Sequence, residues 1–226
     1  MTLTKWLVLV LTYLFIPSLL FICSGDLSWW QAWVVLFSFV LASSGARIWA
    51  ERRHPGLLAE RTNLDKEQGI KSWDKVLAPL MALSTTFPLF IVAGFDRRLD
   101  WSEGFSLELN VLGLILIVLG YSFAAWSMVE NRFFSSMVRI QTDRQHVVCD
   151  SGPYRYVRHP AYAGNLLPLV GFILALDSLW LLIPVAIAVV ITVIRTLLED
   201  QTLQEELPGY SEYTQRVHYR LIPGVF

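Results

Sequence analysis

Residues 141–163 read QTDRQHVVCDSGPYRYVRHPAYA, and the chain then continues through 161–176 as AYAGNLLPLVGFILAL and through 179–198 as LWLLIPVAIAVVITVIRTLL. The first stretch is dense in basic, aromatic and hydroxyl-bearing side chains. The next two are apolar runs separated only by Asp177 and Ser178, enough for a tight turn. A helix needs roughly 20 apolar residues to cross the hydrocarbon core, so the two runs read as an antiparallel helical hairpin at membrane depth. That hairpin returns Arg195, Glu199 and Asp200 to the side on which His159 starts it. Polar groups this dense, tied to apolar helices, suit a polar ligand held at the bilayer edge beside a lipophilic one.

Composition sets the class. The chain has 226 residues, 54% hydrophobic and 16% charged, with a mean hydropathy of +0.49. Soluble domains hold about 45–50% apolar and about 25% charged residues, so the fold class expected is all-α, a polytopic integral membrane helical bundle. Apolar stretches at 6–23, 29–50, 76–94, 107–129, 161–176 and 179–198 give about five to six spans. Lys5, Arg47, Arg52, Arg53, Arg61, Lys66, Lys71 and Lys75, then Arg132, Arg139, Arg144, Arg155, Arg158, Arg195, Arg216 and Arg220, fall on one side. Only Arg97 and Arg98, of eighteen basic residues, fall on the other. Basic residues accumulate on the cytoplasmic side, which places both termini and the 141–163 stretch there. The net charge of −1 gives no sign of a nucleic-acid partner; the expected partner is the bilayer. Nothing in the sequence sets an oligomeric state.

Residues 1–23 have a single lysine in their n-region and no small-x-small cleavage site, so they read as a retained span. Cys23 and Cys149 fall on opposite membrane faces, which argues against a disulfide. Two cysteines and four scattered histidines give no zinc spacing, and no metal site is expected. No soluble domain is visible. The chain divides into residues 1–130, the N-terminal transmembrane helices, and 131–226, the polar region with its hairpin. Residues 51–75 look like a surface helix, and 95–106 form a short outer loop with Trp101 at the interface. Pro168 and Pro184 predict kinks in the hairpin. After residue 198 the pattern is amphipathic, breaks at Pro208-Gly209 and resumes through 210–220.

The constellation has a physical reading of its own. Pro160 suits the first position of a helix, since its missing N–H would be orphaned there anyway. The free amides and positive dipole end of that helix suit an anion such as a carboxylate. His159 adds a donor, and Tyr154, Tyr156 and Tyr162 add aromatic surface for a flat base. Arg195 and Glu199 are one turn apart and share a helix face. The plain interpretation is a cytosolic loop with interfacial tyrosines and an ion pair capping a membrane helix. The sharper one is a ligand site, since ionisable groups beside apolar helices tend to mark function. No G-x-G-x-x-G follows a strand, no Ser/His/Asp or H-E-x-x-H context occurs, and spans one to four are almost free of charge. These absences argue against a Rossmann nucleotide site and against ion-coupled transport.

The motifs HVVCDSGPY at 146–154, RHPAYAG at 158–164, Arg195, EDQTL at 199–203, GYSEY at 209–213 and YRLIP at 219–223 carry a resemblance. Over about residues 131–226 the chain resembles the isoprenylcysteine carboxyl methyltransferases and their phospholipid-methyltransferase relatives. The first 130 residues match only as generic spans. The resemblance implies a methyltransferase using S-adenosylmethionine in a membrane-embedded pocket. It implies cofactor contacts at Gln141, His146, Val147, Val148, Cys149, Tyr154, His159, Pro160, Ala161, Tyr162 and Asp200. It implies catalytic roles for Arg195, facing the acceptor, and Glu199. The family has a Glu-Glu pair where this chain has Glu199-Asp200, and the second member is the family's cofactor contact. The acceptor implied is a lipophilic small molecule, a lipid or a prenylated group, with a carboxylate or amine as nucleophile. A second resemblance is to membrane reductases of the sterol-reductase type, which use NADPH and share Arg-His-Pro-x-Tyr-x-Gly, but with Asn where this chain has Ala161. A third reading keeps the fold without catalysis.

Overall fold

The structure is a computed structural model that describes residues 15, 18–58 and 69–226. Most of the expected first span lies outside the described residues, as does the middle of the expected surface helix at 51–75. The described residues form helices α1 (Trp30–Arg53), α2 (Asp74–Ser84), α3 (Phe87–Leu99), α4 (Leu107–Glu130), α5 (Pro160–Ala175), α6 (Leu182–Glu206) and α7 (Tyr210–Arg216). Among them there is no strand, and the all-α reading holds. Among the described residues four segments are long and apolar enough to cross a membrane: Trp30–Arg53, Asp74–Leu99, Leu107–Glu130 and Leu179–Glu206. Helix α5 is shorter, with 16 residues, about 24 Å at the helical rise.

The expected span at 76–94 is two helices rather than one. Thr85 and Thr86 turn their hydroxyls back onto the carbonyls of Met81 (2.9 Å) and Ala82 (2.8 Å). Pro88, in the first turn of α3, has no N–H for the carbonyl of Ser84. Back-bonding threonines and a proline together interrupt the helical ladder. Of the hairpin prolines, Pro168 is inside α5, whereas Pro184 is the third residue of α6 and sits where no N–H is required.

Helices α4 and α5 make the tightest contact in the bundle. Glycines recur seven apart on both, Gly113 and Gly120 facing Gly171 and Gly164. A β-carbon at Gly113 would lie 2.6 Å from the carbonyl oxygen of Gly171, and one at Gly164 would lie 2.7 Å from the amide of Ala124. Without side chains the two backbones meet directly, the way small residues pack helices where lipid offers no hydrophobic drive. Phe90 and Phe172 meet edge-on at 5.7 Å in the adjoining core, with Leu20, Leu89, Ile117 and Leu176 around them.

Buried polar groups tie the hairpin turn to its neighbours at one end of the bundle. Asp177, at φ +56°, accepts hydrogen bonds from Gln31 Nε2, Asn110 Nδ2 and the Phe105 amide. Asp96 accepts from the Ser102 amide and hydroxyl and from the Ser178 hydroxyl. The opposite end carries residues 131–159. The chain after α6 folds back there: Leu207, Tyr210, Tyr213 and Val217 pack against Ile140, Val148 and Leu203. The amides of Arg158 and His159 donate to the carbonyls of Tyr219 and Arg220, each at 2.9 Å. The C-terminal segment therefore runs along the start of α5 and closes that end of the hairpin.

Candidate active site

Arg195 and Glu199 share one face of α6, as their spacing requires. Arg195 is 3% exposed. Its Nε and Nη2 donate to the two carboxylate oxygens of Asp74, at 2.7 and 2.9 Å. Nη2 also donates to the Ser136 carbonyl, and Nη1 donates to the Tyr162 hydroxyl at 2.5 Å. Four of the five guanidinium N–H groups are thus used, which leaves one on Nη1. The two-pronged edge expected to face an acceptor is occupied by Asp74. The Tyr162 hydroxyl in turn donates to Glu199 Oε2 at 2.5 Å. Asp74, Arg195, Tyr162 and Glu199 form one continuous chain across α2, α6 and α5. Asp74 itself is fully buried and also accepts the Val138 amide at 2.6 Å, so it pins the 135–139 loop to the same centre.

Asp200, one residue on, points about 100° away around the helix and has a different setting. It is 1% exposed and is surrounded by donors: Arg158 Nε and Nη2 (2.7 and 2.8 Å), His159 Nε2 (3.2 Å), Tyr210 hydroxyl (3.1 Å), Gln204 Nε2 (2.9 Å) and Arg220 Nε (2.9 Å). Arg158 also donates to the carbonyls of Val217 and His218. These partners come from the start of α5, from α6, from α7 and from the tail, so Asp200 ties the tail to the hairpin.

A cavity of about 450 Å³ opens at this end of the bundle. Of the residues picked out in the sequence, His146, Val148, Cys149 and Tyr154 line it from the loop. His159, Pro160, Ala161 and Tyr162 line it from the start of α5, and Arg195 and Glu199 from α6. Gln141, Val147 and Asp200 do not line it. Gln141 is 1% exposed, donates to the Phe133 carbonyl at 2.6 Å and accepts from Arg144 at 2.7 Å, so it braces the loop from behind. The Val147 side chain points outward.

His146 packs against Phe133 with ring centres 4.5 Å apart and the planes tilted by 36°, and its Nδ1 accepts the Gln141 amide at 3.3 Å, which assigns the proton to Nε2. Burial first, then the charges of Arg139, Arg144 and Arg132, push its pKa down to about 4, so it is neutral at pH 7. Burial raises the Cys149 thiol and the Tyr154 phenol above their ordinary values. Both are neutral hydrogen-bonding walls rather than nucleophiles. Phe133, Asp74 and the Ala78–Ala82 stretch of α2 are site residues that the sequence did not point out. Asp74 carries only a weak local signal, an acid in the first turn of an apolar helix.

A second cavity, about 440 Å³, lies among the helices and is mostly apolar. Its walls are α1 from Phe39 to Arg47, the α2–α3 break, α4 from Tyr121 to Met128, and α5. The two cavities share Met81, Ala82, Phe134, Ala161, Tyr162 and Asn165. Among the described residues no group of three or more His, Cys, Asp or Glu side chains could hold a metal ion.

Residues 109–208, from α4 through α6, match the family described as phospholipid methyltransferase. The matched segment contains Tyr162, Arg195, Glu199 and Asp200; Asp74 and the C-terminal tail lie outside it. A protein of Oryza sativa subsp. indica named "Probable protein-S-isoprenylcysteine O-methyltransferase" is 27% identical over 117 residues, 48% of this chain and 59% of that protein. The "Protein-S-isoprenylcysteine O-methyltransferase" of Saccharomyces cerevisiae is 30% identical over 98 residues, 43% of this chain and 39% of its own length. The "Cobalt-zinc-cadmium resistance protein CzcN" of Cupriavidus metallidurans is 30% identical over 119 residues, 51% of this chain and 49% of that protein. The chain thus spans less than two thirds of the length of these relatives. Over the segment that builds the cavity, the resemblance read from its motifs is borne out: this part of the chain is similar to the phospholipid and isoprenylcysteine methyltransferases.

Proposed function

We propose that this protein is a membrane-embedded methyltransferase that uses S-adenosylmethionine to methylate a lipophilic carboxylate or amine. The observation that carries it is the meeting of two cavities at one wall: a polar one with Arg139, Arg158, Arg195 and Glu199 in its lining, and one among the helices whose lining holds a single charged side chain, Arg47. A charged cofactor and a hydrocarbon-bearing acceptor need such a pair. The distribution of basic residues supports a polar cavity that faces the cytoplasm.

The residues present fit the cofactor. About 450 Å³ lies within the roughly 300–1,000 Å³ typical of small-molecule sites. Glu199 keeps Oε1 without a protein donor and lines the cavity, so it suits a cationic sulfonium or ammonium. Tyr154 offers aromatic surface to a cation or a base, and neutral His146 offers an Nε2–H. When bound, S-adenosylmethionine supplies a methyl group on a sulfonium that a nucleophile displaces in line, with sulfur keeping the electron pair of the broken bond. A carboxylate acceptor needs no base; the remaining Nη1 N–H of Arg195 holds it in place. An amine acceptor must first lose a proton, and Glu199 Oε1 is the lining carboxylate able to take it. The geometry favours methyl transfer over a dinucleotide reductase: Arg158 is committed to Asp200 and Arg195 to Asp74, so neither is left for a 2′-phosphate.

The test is label transfer from tritiated S-adenosylmethionine by the purified full chain in detergent. The two probe acceptors are N-acetyl-S-farnesyl-L-cysteine and dioleoyl phosphatidylethanolamine. Methylation of either is the expected result. Absence of transfer to both, together with no calorimetric binding of S-adenosylmethionine, refutes the proposal.

A further inference from the structure

Of the six residues shared by the two cavities, two carry polar side chains, Tyr162 and Asn165. The Tyr162 hydroxyl is held between Arg195 and Glu199. The Asn165 carboxamide makes no hydrogen bond among the described residues, yet its side chain is exposed and lines both cavities. It lies on α5 five residues after Pro160, about 7.5 Å along the axis, in the run Asn165-Leu166-Leu167-Pro168-Leu169. A carboxamide on an apolar helix, exposed to both cavities and without a protein partner among the described residues, is open to a ligand's polar group. The threonines of the apolar cavity illustrate the alternative. Thr85, Thr86 and Thr192 spend their hydroxyls on the carbonyls of Met81, Ala82 and Ala188 within their own helices. Asn165 has no such outlet, and it stands where a polar head would part from its hydrocarbon chain.

We propose that Asn165 is an acceptor-binding residue. Its carboxamide hydrogen-bonds the polar head of an amphiphilic acceptor at the point where the chain passes into the apolar cavity. The proposal rests on the methyl-transfer reading for what happens next, but binding can be measured without turnover. A carboxamide presents two N–H donors and one carbonyl acceptor. It therefore matches a head that carries a carboxylate or carbonyl oxygen, and it holds that head beside Tyr162 and Glu199. Leucine keeps the branching of asparagine at Cγ but is bulkier, so Asn165→Leu removes the hydrogen bonds and Asn165→Asp, which adds no bulk, separates their loss from crowding.

The experiment is calorimetric titration of the full chain in detergent with N-acetyl-S-farnesyl-L-cysteine and, separately, with S-adenosylmethionine. Asn165→Leu should weaken the prenyl-cysteine probe about tenfold, the effect of one lost hydrogen bond in a desolvated site. Affinity for S-adenosylmethionine and the melting temperature should stay as in the wild type. Asn165→Asp replaces the N–H donors by oxygens and should lose the same anionic probe at least as far. Equal probe affinity in wild type and Asn165→Leu overturns the proposal, as does full probe binding by Asn165→Asp. A parallel loss of S-adenosylmethionine binding also overturns it, by making Asn165 a structural residue. A wild type that binds neither this probe nor lysophosphatidylethanolamine overturns it too. A wild type that binds the probe but not S-adenosylmethionine sinks the methyltransferase reading, while the Asn165 variants still decide the role of Asn165.

Discussion

Glu199 and Asp200 are consecutive carboxylates on one helix, and they end in opposite circumstances. Asp200 is 1% exposed and takes hydrogen bonds from five side chains, those of Arg158, His159, Gln204, Tyr210 and Arg220. Glu199 is half-buried, takes one, from Tyr162, and shows its second oxygen to the cavity. The helical step of about 100° per residue is the whole cause: one position faces the returning tail, the next faces the hole between α2, α5 and α6. A saturated buried carboxylate holds structure together, because every lone pair has a protein partner. An under-used carboxylate on a cavity wall is available to a ligand. Asp200, which the resemblance makes a cofactor contact, is held in this structure by protein donors, and Glu199 is the carboxylate that lines the cavity.

The largest effect that can break this contrast is on stability. Asp200→Asn removes the counter-charge from Arg158, which is 6% exposed, and weakens the grip on Arg220. Stranding a buried charge in this way costs about 3–5 kcal/mol. Thermal unfolding in detergent should show a large fall in melting temperature, and limited proteolysis should show faster cleavage of residues 217–226. A variant that melts like the wild type would mean that the tail is held by its apolar contacts alone. Next in size is Glu199→Gln. Glutamine still accepts the Tyr162 hydroxyl bond through its carbonyl oxygen, so stability should move by less than about 1 kcal/mol. S-Adenosylmethionine binding or methyl transfer should fall tenfold or more. If Glu199→Gln instead destabilises the protein as much as Asp200→Asn, the two carboxylates do the same work and the contrast is void.

What the sequence revealed follows from the range of the interactions involved. The hairpin was legible because it is local: two apolar runs, a two-residue break and a proline at the helix start. The convergence of His159, Tyr162, Arg195 and Glu199 follows from that hairpin by geometry. The partner of Arg195 was not legible, since Asp74 lies 121 residues away and nothing in the sequence Lys71-Ser72-Trp73-Asp74 marks it as more than an interfacial helix start. Phe133 and Gln141 were hard to place for a similar reason. Their roles are set by a loop without periodicity, whose shape comes from hydrogen bonds such as Gln141 to Phe133 and Val138 to Asp74. The break between α2 and α3 is written in the sequence as Ser84-Thr85-Thr86-Phe87-Pro88, but hydropathy over 76–94 reports length and not continuity, so the run reads as one span.

His146 gives the smallest effect, and it reports on the loop wall rather than on either carboxylate. Its pKa is pushed from an ordinary 6.5 down to about 4, by burial first and then by three neighbouring arginines. Between those values the unfolded chain takes up a proton that the folded loop refuses. The contribution to stability is therefore complete above pH 6.5, declines as the pH falls through the window, and is gone below about 4. In His146→Asn that decline should be missing, while all other ionisable groups are common to both proteins and cancel in the comparison. Melting temperatures recorded from pH 7.5 to pH 4 should thus converge at the acid end, with the wild type falling more steeply. Parallel curves would mean that the loop opens to water and lets His146 titrate normally, and the cavity wall at Phe133 would then be looser than the 4.5 Å contact between the two rings implies.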